Sequence, residues 1–115
     1  MLPRNSLIDL GRLESIGALN DPEVAALVRC FTSTLSNKIG DIRAAHESAD
    51  SSSLKFLVHR LKGTCLTCCL TKLGDCLAEW EKSGLGSEAG HMEKIEEIAH
   101  CSSLAMESIL ADLDF

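Results

Sequence analysis

Apolar residues recur at three- and four-residue steps through most of the chain, and this spacing constrains the fold more than any other feature. The longest such stripe follows Asp21-Pro22-Glu23, which reads as a helix start with Asp as N-cap and Pro at the first helical position. The spacing predicts one long amphipathic helix that runs to about Asp50. Its inward positions are Val24, Leu27, Val28, Phe31, Leu35, Ile39, Ile42, Ala45 and Ala49.

Three further helices are predicted after this one. A serine in the polar run from Asp50 to Ser53 is expected to cap a helix that continues to about Cys69. Thr71 is the predicted cap of a shorter helix that ends in the loop 83–87, which contains two glycines. The last helix is expected to begin at about Glu88 and to reach the C-terminus. The inward positions of these last two helices are Leu73, Cys76, Leu77, Trp80, Met92, Ile95, Ile98, Ala99, Ala105, Met106, Ile109, Leu110 and Leu113.

No alternating run is long enough for a useful strand, so the pattern predicts an all-α fold. We expect an antiparallel four-helix bundle with a short extra N-terminal helix within 7–16. The predicted organisation is one domain over 1–115, with an N-terminal arm over 1–20 and the bundle from about 21 to 115. Since the chain has three Phe, one Trp and no Tyr, the core should consist mainly of small aliphatic side chains and Cys.

Composition narrows the classes of function. The formal net charge of −6 argues against a general nucleic-acid-binding protein, which needs a basic surface. No segment approaches the roughly 20 apolar residues of a membrane span, and the first residues do not resemble a signal peptide. The expectation is a cytoplasmic protein, acting as a monomer, without membrane insertion.

His59 is predicted to point away from the apolar stripe of its helix. At about 100° per residue it lies roughly 160° from the centre of that stripe, which comprises Leu54, Leu57, Leu61, Cys65 and Cys68. Lys62 and Gly63, three and four residues later, flank it on the exposed side. The helical phase therefore predicts an imidazole displayed to solvent.

These neighbours suit a nucleophilic imidazole. An unperturbed histidine is largely neutral near pH 7, so one ring nitrogen can act as a nucleophile without a separate base. Lys62 would stabilise negative charge on a group transferred to the ring. Gly63 costs about 0.8 to 1 kcal/mol relative to Ala in a helix, and close approach of another protein would explain it. A kink in the helix or close packing against a neighbouring helix is the alternative for Gly63.

The same exposed side carries a candidate docking surface. Phe56 and Leu66 are expected to form apolar margins around the imidazole, although they would alternatively cover neighbouring helices. Lys55 and Arg60 add positive charge in an otherwise acidic chain. This charge favours encounter with a partner that has an acidic cleft.

The run His59-x-Leu61-Lys62-Gly63-Thr64, followed by Leu73, Cys76 and Trp80-Glu81, resembles the histidine-containing phosphotransfer (HPt) domains of two-component phosphorelays. The resemblance implies that Nε2 of His59 accepts a phosphoryl group from the aspartate of one response-regulator receiver domain and donates it to another. It implies that Glu81 orients the imidazole through its other nitrogen, and that the Thr64 hydroxyl lies near the phosphate. For Glu81 the alternative is a solvated helix residue, and for Thr64 a local hydrogen bond in the helix.

The resemblance also implies the partners, which are receiver domains and a hybrid sensor histidine kinase. The chain would be a phosphoryl carrier without kinase activity, since its sequence has no nucleotide-binding loop. It would need no cofactor of its own, with Mg²⁺ supplied by the receiver. The chain departs from the family pattern after Gly63. Members of the family commonly have a second glycine shortly after this position, and this chain has Thr64-Cys65-Leu66-Thr67-Cys68-Cys69 instead. The residue at which the helix ends is therefore not predicted by the resemblance.

Two other interpretations remain at this point. The six cysteines, three of them in Cys65-x-x-Cys68-Cys69, suggest a cysteine-rich redox or metal-switch module, although packing of reduced thiols in the core is favoured. Alternatively, the chain is the phosphoacceptor module of a larger histidine kinase. His46, His91 and His100 carry no motif and are interpreted as surface residues.

Overall fold

The computed structural model of the chain describes residues 7–85 and 90–113. Within these residues the secondary structure is entirely helical, which confirms the all-α prediction. None of the described helices is both long and apolar enough to cross a membrane. The predicted helix start at Glu88 lies outside the described residues. The helices are α1 (Leu10–Ser15), α2 (Pro22–Glu47), α3 (Ser51–Thr67), α4 (Thr71–Lys82) and α5 (His91–Ala111).

Helices α2 to α5 form the predicted bundle, in which each helix packs against the two that neighbour it in a closed cycle. Contacts between α2 and α5 show that the two helices run in opposite directions. Near the end of α2, Arg43 Nε donates to Glu96 Oε2 at 2.6 Å, whereas near its start Arg29 Nη2 donates to the Leu110 carbonyl at 3.4 Å. The bundle is therefore antiparallel, and its apolar stripes meet in a single core.

The N-terminal segment closes one end of the bundle, as expected. Leu7, Ile8 and Leu13 are buried, and the Asp9 N–H donates to the Cys69 carbonyl at 3.0 Å. The Asp9 side chain caps α1 by accepting from the Arg12 N–H. This segment therefore covers the turn between α3 and α4.

One of the three predicted helix caps is confirmed. Asp21 caps α2 by accepting a hydrogen bond from the Glu23 N–H at 2.9 Å. The cap of α3 is Asp50 and not a serine, because the carboxylate accepts from the Ser53 N–H and the serines fall inside the first turn. Thr71 is the first residue of α4 and makes no cap, since the preceding Leu70 is the N-cap and has no side-chain hydrogen bond to offer.

Helix α3 ends at Thr67, two residues before the predicted end. Cys69 adopts a left-handed backbone with φ 66°, and the Leu70 N–H donates to the Cys65 carbonyl at 2.9 Å. This bond closes a Schellman-type helix end, at a position that usually carries glycine. The turn is therefore kept although the second glycine of the family pattern is missing.

Three core assignments were wrong at the level of single residues. Leu27 is 72% exposed, because Ala25 and Val28 take the inward positions of the first turns of α2. Ala49 lies beyond the end of α2, exposed and with φ 56°. Val58 is fully buried in α3 although the predicted stripe omits it, since the bundle covers a wider arc of the helix than the stripe suggested.

Candidate functional site

His59 lies in the middle of α3 with 70% of its side chain exposed. The residues beside it on the same helix, Val58 and Leu61, are buried in the core. Because these apolar side chains fix the rotation of α3, the imidazole is held on the outer face. The predicted outward orientation of His59 is therefore present in the structure.

Glu81 in the last turn of α4 contacts the imidazole. Its Oε2 lies 3.0 Å from Nδ1 of His59. The antiparallel course of α3 and α4 brings these residues together, and the fully buried Trp80 anchors the last turn of α4 in the core. A carboxylate accepts hydrogen bonds, so in the neutral imidazole it favours the tautomer with hydrogen on Nδ1 and a lone pair on Nε2.

Lys62 also contacts Glu81, on the other carboxylate oxygen. Its Nζ donates to Oε1 at 2.5 Å, and the two side chains are only 25% and 21% exposed. The hydrogen bond from Lys62 lowers the pKa of Glu81, and the contact with His59 lowers this pKa further, whereas partial burial opposes both effects. Glu81 is therefore an anion at neutral pH, shared between the imidazole and the lysine.

Gly63 faces open space on the outer side of α3. A Cβ built on this residue meets no atom within 4 Å. Gly74 differs, because its Cβ would lie 3.5 Å from Cys65 and from Leu66. Even there the contact is an ordinary van der Waals distance, so packing within this chain gives no reason for a glycine at 63.

The other predicted site residues, four for docking a partner and Thr64 for the phosphate, divide into two groups. Lys55, Phe56 and Leu66 are exposed and lie within about 60° of His59 around α3. Arg60 and Thr64 lie toward α2, where both line a small groove with Leu61 and other residues. The Thr64 hydroxyl donates to the Arg60 carbonyl at 3.1 Å, which is the local hydrogen bond expected as the alternative to a phosphate contact.

Ser52 was not among the predicted site residues. It lines a shallow concavity together with Lys55, Phe56, His59 and Glu81. The sequence does contain a signal for it, because Ser52 precedes His59 by seven residues, which places it two turns away on the same face of the helix.

The family model for the Hpt domain matches residues 26–114, which include the whole site. The chain belongs to the Hpt-domain family. Such domains carry phosphoryl groups in two-component relays and interact with receiver domains, and they are carriers rather than enzymes. No curated protein and no solved structure gives a significant match to the chain.

The cysteines of this Hpt domain lie mainly in the core. Cys65, Cys69 and Cys76 are buried and Cys68 is partly buried, all as free thiols. Burial raises the pKa of each of these thiols, that of Cys65 to about 12. Since the thiolate is the nucleophile and the metal ligand, this environment disfavours redox or zinc chemistry. Across residues 7–85 and 90–113, no three His, Cys, Asp or Glu side chains are grouped to hold a metal ion.

The assignment of His46 and His91 to the surface was wrong. Both are partly buried against Trp80. The ring of His46 meets Trp80 edge-on with 5.5 Å between the ring centroids, and the ring of His91 stacks on it at 6.1 Å. The helix ends of the bundle bring these three rings together, which single-helix patterns do not reveal. His100 is exposed, as expected for a surface residue.

Proposed function

We propose that His59 is the phosphoacceptor of this Hpt domain. It takes a phosphoryl group from the aspartyl phosphate of one receiver domain and passes it to the aspartate of another. The observation that carries this proposal is the exposed imidazole whose Nδ1 is held by Glu81 at 3.0 Å. This contact leaves Nε2 as the ring nitrogen with a lone pair for attack.

The transfer step needs no proton to move. The Nε2 lone pair attacks phosphorus as the bond from phosphorus to the acyl oxygen breaks, and the electron pair leaves with the receiver's carboxylate. The hydrogen on Nδ1 stays in place, so the phosphorylated ring carries a positive charge that faces the Glu81 carboxylate. Transfer to the next receiver is the reverse sequence, with a new aspartate oxygen attacking phosphorus.

Lys62 and Gly63 would support this step in different ways. The ammonium group of Lys62 has three hydrogens, of which one is used by Glu81 Oε1, so it keeps Glu81 ionised and still has hydrogens for a phosphoryl oxygen. Gly63 would let the receiver approach closely, because a side chain there would project beside the imidazole. Phe56 and Leu66 offer apolar contacts at the margin, and Lys55 and Arg60 offer positive charge.

The same proposal defines the partner proteins of this domain and the source of the metal ion used in transfer. The phosphoryl group would reach a receiver domain from a hybrid sensor histidine kinase. The Hpt domain would have no cofactor of its own, and Mg²⁺ bound by the receiver would neutralise the phosphoryl oxygens during transfer. The acidic metal site of a receiver suits the positive residues near His59.

A transfer assay tests the proposal. The protein is incubated with a receiver domain that carries labelled aspartyl phosphate, and uptake of the label is followed. We expect rapid uptake by the wild-type protein and none by His59→Gln. His100→Gln, which changes an exposed histidine on α5, is the matched control and should accept label normally. Uptake by His59→Gln at the wild-type level would refute the proposal.

A further inference from the structure

The concavity beside His59 has a composition suited to an anion. It is lined by Ser52, Lys55, Phe56, His59 and Glu81. We propose that it is a binding subsite for the phosphoryl group on His59, in which the Lys55 ammonium and the Ser52 hydroxyl contact the phosphoryl oxygens. This inference rests on the proposed function; it adds Ser52 to the site and gives Lys55 a contact with the phosphoryl group itself.

Helix geometry places these groups on the side to which the imidazole leans. Ser52 and Lys55 precede His59 by seven and four residues, about 20° and 40° to either side of it around α3. Side chains on an α-helix tilt toward its N-terminus. The ring of His59 therefore extends over the turn that holds Lys55. A phosphoryl group on its outer nitrogen would lie closer to this concavity than to Gly63.

Lys55 is the less engaged of the two lysines near the imidazole. Lys62 is bonded to Glu81 and is only 25% exposed. Lys55 is exposed and forms no hydrogen bond or ion pair with any residue in the described part of the chain. An unpaired ammonium group can turn to a new anion without first breaking an ion pair, so Lys55 is the cation more readily available to the phosphoryl oxygens.

The rest of the lining is compatible with a bound anion. The Ser52 hydroxyl is exposed and forms no hydrogen bond within residues 7–85 and 90–113, which leaves its hydrogen for a phosphoryl oxygen. Glu81 is the acid in the lining, and its two oxygens already face Lys62 and the imidazole. Phe56, 62% exposed, forms an apolar wall that limits water on one side of the group.

The lifetime of the phosphorylated protein tests this inference. The full chain is labelled by a phosphorylated receiver, the receiver is removed, and the hydrolysis of phosphohistidine is followed together with a ³¹P NMR pH titration. We expect Lys55→Met to shorten the half-life about three- to tenfold and Ser52→Ala about twofold. In Lys55→Met the ³¹P titration should move to higher pH, because the dianionic phosphoryl group loses a neighbouring cation.

Lys94→Met is the matched control, since Lys94 is an exposed lysine on α5, which packs against α2 and α4. It should leave both the half-life and the ³¹P titration unchanged. A Lys55→Met protein that is labelled and shows the wild-type half-life and titration would overturn the inference. So would a Lys55→Met protein that is labelled more slowly but keeps the wild-type half-life, because Lys55 would then act only in docking. Both results would leave the proposal that His59 is the phosphoacceptor intact. That proposal fails by a different result, which is uptake of label by His59→Gln.

Discussion

Replacement of Gly63 separates the stability of this Hpt domain from its function. Gly63 lies inside α3, and an added Cβ meets open space. Alanine there should remove the cost of a helical glycine, about 0.8 to 1 kcal/mol, without any steric conflict. A domain of this length unfolds with an entropy of about 0.24 kcal/mol/K, so the melting temperature should rise by about 4 °C.

The larger side chain of glutamine should show the functional cost. Gly63→Gln should also stabilise the fold, by about 0.5 kcal/mol, because glutamine is a good helix former with room at this position. The same side chain would stand where the receiver must approach His59. We expect phosphotransfer from a receiver to slow at least about tenfold, which corresponds to about 1.4 kcal/mol in the barrier.

Gly40 provides a matched control for both effects. It lies inside α2, is exposed, and likewise has no atom within 4 Å of an added Cβ. Gly40→Ala and Gly40→Gln should raise the melting temperature as the Gly63 variants do, and should leave the transfer rate unchanged. Thermal unfolding by circular dichroism and a transfer time course measure the two quantities on the same samples. Wild-type transfer by Gly63→Gln would refute the close-approach argument, and a lower melting temperature of Gly63→Ala would refute the open-space argument.

Two further predictions concern the groups around His59, and a third concerns the cysteines. Lys62→Ala should shorten the lifetime of the phosphorylated form, and an unchanged lifetime and rate of formation would remove Lys62 from the site. Because Lys62 lowers the pKa of Glu81, this pair should stabilise the fold fully above the pKa of an unfolded-chain glutamate and lose its effect as pH falls through the lower folded value. The difference in melting temperature between wild type and Glu81→Gln should therefore shrink as the pH falls from neutral through the lowered pKa of Glu81, and a difference that stays constant with pH would contradict the assignment. Protein purified under reducing conditions should carry no stoichiometric zinc by elemental analysis, whereas zinc that is lost in Cys68→Ser would support the metal-switch interpretation.

Helical periodicity was enough to predict most of the fold. The stripes identified all four long helices, and the exposed position of His59 followed from its phase relative to Leu61 and Cys65. The existence of a helix and the side of it that is buried are each set within that helix, by the spacing of its own apolar residues. The errors arose where the neighbouring helices decide which residues are buried. Leu27 is an example: the periodicity of its own helix assigned it to the core, but the bundle leaves it exposed.

The contacts of the candidate site depend on how the helices are placed against each other. Glu81 lies 22 positions from His59 in sequence, and only the antiparallel packing of α3 on α4 brings its carboxylate to Nδ1. The same packing gives the second oxygen of Glu81 to Lys62. Local sequence thus determined which imidazole is presented to solvent, whereas the tertiary structure decided which ring nitrogen keeps its lone pair, because the tautomer depends on a partner from another helix.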